Sequence, residues 1–252
     1  MHGFRPLPRA GRWLTSNTEA RMPNGRCIYR HRFWVRMTHW VNVVCMTVLL
    51  MSGLQIFNAH PALYWGNISH FDNPVAAIGT FPDWVTLPGS QWLAMGRRWH
   101  FFFAWLFVTN GALYALLAIA SGHFRRDLVP APSTLRQIGH SIRDHLRLRF
   151  PKGEEAKHYN VLQQLAYLAV LCVLCPLIVL AGLAMSPQLD AAYPWLLSIF
   201  GGRQSARTIH FLCAFSLLGF VIVHLLMVLV SGVWNNLRSM VTGWYDTGET
   251  HG

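Results

Sequence analysis

Acidic residues are scarce in this 252-residue chain: ten Asp plus Glu stand against 21 Lys plus Arg and 13 His. Charge of either sign is thin, at 12% of residues, about half the usual share. A soluble domain with so little charge would precipitate, which argues against a water-soluble enzyme. A disordered chain would not carry 15 Phe and 11 Trp. No apolar stretch precedes residue 37, so no cleavable signal peptide is expected, and the first apolar segment is expected to act as its own insertion signal. Cysteine does not form a disulfide framework. Cys45, Cys172, Cys175 and Cys213 lie in apolar segments and Cys27 lies outside them. Cys172 and Cys175 form a CxxC, but Pro176 follows where c-type haem attachment needs His. They read as small apolar side chains. There is no internal repeat and no low-complexity tract.

Apolar residues, at 53%, are what fills the chain. Four stretches are free of Asp, Glu, Lys and Arg: Met37–Phe57, Trp99–Ala120, Val161–Met185 and Thr208–Val233. About 20 apolar residues cross a bilayer as a helix. Four such helices in one short chain leave too little sequence to cover them in water. The expected fold is all-α, an integral membrane four-helix bundle. Its expected parts are an N-terminal segment 1–36, a four-span domain 37–233 and a tail 234–252.

The cations report direction. Seventeen of the 21 Lys and Arg fall in residues 1–36, the connection 121–160 and the tail, and only Arg97, Arg98, Arg203 and Arg207 fall in the other two connections. The positive-inside rule therefore predicts cytoplasmic N and C termini. The net charge of +11 reads as topology plus attraction to anionic lipid, with no folded basic module for nucleic acid. Asn160 and Ser205 are expected near helix starts. Residues 133–150 place Leu135, Ile138, Ile142 and Leu146 on one face, so a short interfacial amphipathic helix is expected between spans 2 and 3.

Four histidines, His39, His100, His210 and His224, lie within the spans, and no carboxylate accompanies them there. Ionisable groups in a bilayer are costly and point to function. His210 and His224 are 14 residues apart on one helix. That separates them by roughly 21 Å along the axis and roughly 40° around it. They can serve two centres but not one. Span direction then sorts the four by depth: His39 with His224 near the inner surface, His100 with His210 near the outer. Two imidazoles from two helices suit the axial positions of a b-type haem. A structural zinc site would need four ligands at one depth.

Small residues beside a flat cofactor favour close approach. Gly53 faces as His39 does, at the depth of the outer pair, and Gly111 is nearly in line with His100. Glycine is also common in membrane helices for packing alone. Arg36 and Arg207 stand one turn outside His39 and His210, and Arg97 and Arg98 flank His100. Each is a candidate for haem propionates, or an ordinary flanking cation.

The segments RHRFWVRMTHWVN (30–42), RRWHFFFAWLFVTNG (97–111), YNVLQQLAYLAV (159–170), PLIVLAGLAMSP (176–187) and ARTIHFLCAFSLLGFVIVH (206–224) carry a resemblance. The chain resembles the di-haem cytochrome b subunits of the bacterial cytochrome b561 and nickel-iron hydrogenase b-type cytochrome group, which includes formate dehydrogenase and thiosulfate reductase membrane subunits. The resemblance implies two b-type haems, with His39 and His224 as inner ligands and His100 and His210 as outer ones. It also implies a bacterial inner-membrane protein, working as an electron-transfer subunit of a quinone-linked respiratory oxidoreductase. The partner would be a periplasmic oxidoreductase subunit bearing molybdenum or Fe–S centres, since no such domain is in this chain. Asn160, Gln163 and Gln164 open the third span at the inner end and are candidates for quinone, or for helix capping. The connection 58–98 is expected to cover the outer haem and dock the partner, or to contain a second quinone pocket. Two other readings stay open: a stand-alone enzyme passing electrons from superoxide to quinone, and a haem-free anchor or transporter.

Overall fold

A backbone inside a bilayer must satisfy its own N–H and C=O groups, and helices do this within a single segment. The computed structural model describes residues 27–89, 92–130 and 161–246. Four of its helical segments are long and apolar enough to cross a membrane: 33–57, 93–120, 161–184 and 203–230. Along all of them large apolar side chains point outward, among them Val44, Phe102, Leu116, Val173 and Leu229. Exposure of that kind suits lipid and would not survive in water.

In chain order, β1 (Cys27–Tyr29) leads into α1 (Phe33–Phe57), the first span. The connection after it holds β2 (Ala62–Leu63), β3 (Ala76–Ala77) and a 3-10 turn at Asp83–Val85. α2 (Leu93–Ala120) is the second span and runs into a π-turn at Phe124–Leu128. The third span is α3 (Val161–Ala169), a π-turn over Val170–Leu174, and α4 (Cys175–Ala184). Short helices α5 (Pro187–Ala192) and α6 (Pro194–Ile199) precede α7 (Arg203–Val230), the fourth span. α8 (Val233–Thr242) and β4 (Trp244–Asp246) follow.

Three expectations need adjustment. Three of the spans begin earlier than their apolar stretches: α1 takes in Arg36, α2 takes in Arg97 and Arg98, and α7 takes in Arg203 and Arg207. The third span is not one regular helix. Pro176 has no N–H for the carbonyl four residues back, and its ring crowds that carbonyl, so the turn before it widens. Residues 234–246 form a helix and a strand rather than a plain tail. The interfacial helix expected at 133–150 and the candidate Asn160 lie outside the described residues.

The chain divides into two compact units. Among the described residues, one comprises 27–36, 112–130, 161–166 and 230–246; the other comprises 37–89, 92–111 and 167–229. In the first, β1 pairs antiparallel with β4, Cys27 opposite Asp246, so the two ends of the described chain meet. That meeting agrees with an even number of spans. The Asn235 side chain donates to Asp246 O at 2.7 Å and accepts from Asp246 N at 2.9 Å.

In the second unit, the connection after α1 is tied to the start of α7. Thr208 Oγ1 donates to Tyr64 O at 2.7 Å, and Gly66 N donates to Ser205 Oγ at 2.8 Å. Ser205 lies inside the first turn of α7, so it holds the loop rather than preceding the helix. Gly202 must be glycine: its φ is +115°, and a Cβ would fall 2.5 Å from the Gly66 backbone. Gly96 on α2 similarly lets Gln55 of α1 approach, since a Cβ there would lie 2.8 Å from Gln55 Cγ.

Candidate functional site

All four span histidines belong to the second unit. The rings of His100 (α2) and His210 (α7) have centres 6.1 Å apart, with their planes at 62°. The rings of His39 (α1) and His224 (α7) have centres 6.3 Å apart, at 56°. An imidazole nitrogen lies about 1 Å from its ring centre and about 2 Å from a metal that it ligates. Two rings on opposite sides of one ion therefore have centres about 6 Å apart. Both pairs meet that spacing. Among the described residues no group of three or more His, Cys, Asp or Glu gathers to hold a metal. Each pair offers two donors and no more, which suits an ion that brings its other ligands with it, as haem iron does.

The outer pair is built around its Nδ1 atoms. His210 Nδ1 lies 2.8 Å from Ile178 O, a carbonyl, so Nδ1 must carry the proton and donate. His100 Nδ1 lies 3.1 Å from Ser52 Oγ. The Ser52 hydroxyl already donates to Val48 O at 2.6 Å, so it accepts from His100. Both imidazoles are thereby fixed as Nδ1–H tautomers, leaving each Nε2 lone pair free for a metal. Ser52 is fully buried, where such a bond is not exchanged with water. Two glycines lie beside the rings. A Cβ at Gly53 would make ordinary contact with His100 Cε1 at 3.4 Å, and one at Gly182 would crowd His210 Cε1 at 3.3 Å.

The inner pair is built differently. His39 Nδ1 is buried and has no hydrogen-bond partner among the described residues. His224 stacks on Phe220 one turn earlier, with ring centres 6.2 Å apart and planes at 18°. Beside His39, Asn110 of α2 donates to Thr38 O and to Asn42 Oδ1, both at 2.8 Å. This buried amide fixes α1 against α2 next to the histidine. A Cβ at Gly111 would meet nothing within 4 Å, so that glycine leaves open space.

The candidate cations are placed unevenly. Arg207 donates to Ala62 O at 2.9 Å and to His60 O, and its guanidinium lies over the Phe57 ring. It secures the outer connection. Arg36 donates to Val241 O in the last turn of α8 and lies over the Phe33 ring. Arg97 lies over the Phe101 ring, and both it and Arg98 are exposed. Gln163 and Gln164 are half-buried in the first turn of α3. Sequence reasoning missed Ser52, the Ile178 carbonyl, Gly182 and Asn110. A signal existed for two of them: Gly182 and Asn110 are small or polar residues within apolar spans.

Residues 30–243 match the family described as prokaryotic cytochrome b561. A protein of Azospira oryzae named as a protein-methionine-sulfoxide reductase subunit, YedZ1, is 33% identical over 213 residues, 84% of this chain and 96% of its own. A protein of Cupriavidus necator named as a Ni/Fe-hydrogenase B-type cytochrome subunit is 25% identical over 252 residues, 91% of this chain and 93% of its own. No solved structure matches the chain significantly.

Proposed function

Because the chain belongs to the prokaryotic cytochrome b561 family, and is thus a haem-binding electron-transfer protein of the bacterial inner membrane, we propose that it holds two b-type haems. His39 and His224 would ligate one near the inner surface, and His100 and His210 the other near the outer. The observation that carries this reading is the pair of ring separations, 6.3 Å and 6.1 Å, each bridging two helices. A bound haem supplies reversible one-electron chemistry. The chain's own residues do the rest. Ser52 and the Ile178 carbonyl hold the outer imidazoles in one tautomer and orientation. Gly182 lets the His210 ring sit close to the third span. The outward-facing apolar side chains keep the spans in lipid, and the cation distribution sets both termini in the cytoplasm.

Electrons would pass along the bundle between a membrane quinone and a redox protein on the periplasmic side. The quinone is assigned to the start of the third span, around Asn160, Gln163 and Gln164. The names of both relatives describe subunits of larger oxidoreductases, and this favours a partnered subunit over a stand-alone enzyme.

The test is a reduced-minus-oxidised spectrum of the purified chain together with a haem assay. Two b-type haems per chain are expected. A single haem, or none from a haem-replete host, would overturn the two-site reading. Sustained turnover of superoxide with quinone by the chain alone would overturn the partnered one.

A further inference from the structure

α8 is amphipathic in the reverse of the usual sense. On its protein side stand polar and small residues. Ser239 is 1% exposed, Asn235 bonds the Asp246 backbone, and a Cβ at Gly243 would strike the Tyr29 ring. On its outer side stand Trp234 at 82% exposure, Leu237 at 40% and Val241 at 60%. These three are spaced three and four residues apart, so they form one stripe along the helix. A surface helix of a soluble domain turns its apolar stripe inward. Here the inward face is polar and held at several points, and the apolar face is presented outward.

The position of the helix indicates what covers that face. α7 ends at Val230, and its last turns expose Leu225, Leu226, Leu229 and Val230, which read as lipid-facing. Only Ser231 and Gly232 separate it from α8, and Gly232, at φ +104°, turns the chain where a helix would otherwise continue. The stripe thus begins within a few residues of the point where the span leaves the hydrocarbon. Tryptophan favours that boundary. Arg238, beside the stripe, turns to the protein side, where it pairs with Asp246 at 3.8 Å and donates to Cys27 Sγ at 3.7 Å.

We propose that α8 lies in the plane of the membrane, its Trp234–Leu237–Val241 stripe seated in the headgroup and upper acyl region of the bilayer. The Arg36 bond to Val241 O and the β1–β4 ribbon then fasten the start of the first span to a helix resting on lipid. This inference stands independently of the haem ligands.

The experiment uses the full chain in nanodiscs of phosphatidylethanolamine and phosphatidylglycerol. Nitroxide labels are placed at Trp234→Cys, Leu237→Cys and Val241→Cys, with Cys172→Ser to remove an exposed thiol. The expected result at all three positions is relaxation by oxygen, which concentrates in lipid, exceeding relaxation by a water-soluble nickel chelate. Preferential relaxation by the chelate would place the stripe in water and overturn the proposal. An immobilised label shielded from both reagents would also overturn it, by showing a protein cover, whether residues 131–160 of this chain or another protein.

Discussion

The outer and inner histidine pairs have nearly the same ring separation but different surroundings. At the outer pair, both Nδ1 atoms are hydrogen-bonded and Gly182 gives His210 space that a Cβ would crowd. At the inner pair, His39 Nδ1 is buried with no partner among the described residues, and the neighbouring polar link runs from the Asn110 side chain to the Thr38 carbonyl. The difference teaches that spacing and tuning are separate properties. Ring separation follows from where α1, α2 and α7 place their residues. Imidazole basicity follows from what each Nδ1–H donates to, and a donor bond raises it, favouring the oxidised iron. The protein thus holds both outer imidazoles through their Nδ1 atoms, and among the described residues His39 has no such hold.

The comparison can be broken most severely at the glycines. Gly182→Leu would drive a side chain into His210 and is expected to abolish the outer haem while the inner one remains, measured as half the haem content per chain. Loss of both haems would show that the sites are not independent.

A finer change is Ser52→Ala. Both haems are expected to stay, and the outer one alone should rise in potential. A hydrogen bond of about 1 kcal/mol corresponds to about 40 mV for one electron. A spectroelectrochemical titration resolving the two haems reads the shift, and equal movement of both would remove the claimed asymmetry.

At the inner end, Asn110→Leu removes the amide that joins α2 to Thr38 O and Asn42. The expected cost is about 1 kcal/mol, as for interhelical polar contacts in other membrane proteins, read as a lower unfolding temperature. The outer potential should not move.

These sites differ in how far the sequence exposes them. The four spans are legible because a bilayer excludes charge, so gaps between Asp, Glu, Lys and Arg mark them. The span histidines are legible because an ionisable residue among apolar ones is rare, and span direction sorts them into the pairs whose rings face each other. Ser52 is not legible, since serine is common in membrane helices and its role depends on the ring it faces across the bundle. The Ile178 carbonyl cannot be read from sequence at all, because every residue carries one. Arg207 illustrates an ambiguity of another kind: a cation one turn outside a histidine suits a propionate, yet here it holds the carbonyls of the outer connection. α8 is similar. Its alternation is visible in residues 233–242, but which face turns inward is set by Tyr29, Asp246 and Ser239 acting together.

The central claim is that four histidines form two separate haem sites, paired across helices. Its most direct test is haem content, with reduced-minus-oxidised spectra, in the four single variants His39→Ala, His224→Ala, His100→Ala and His210→Ala. The account predicts one haem left in each, with the first two variants sharing one residual spectrum and the last two sharing the other. Retention of both haems in any variant, or residual spectra grouped in another way, would contradict it.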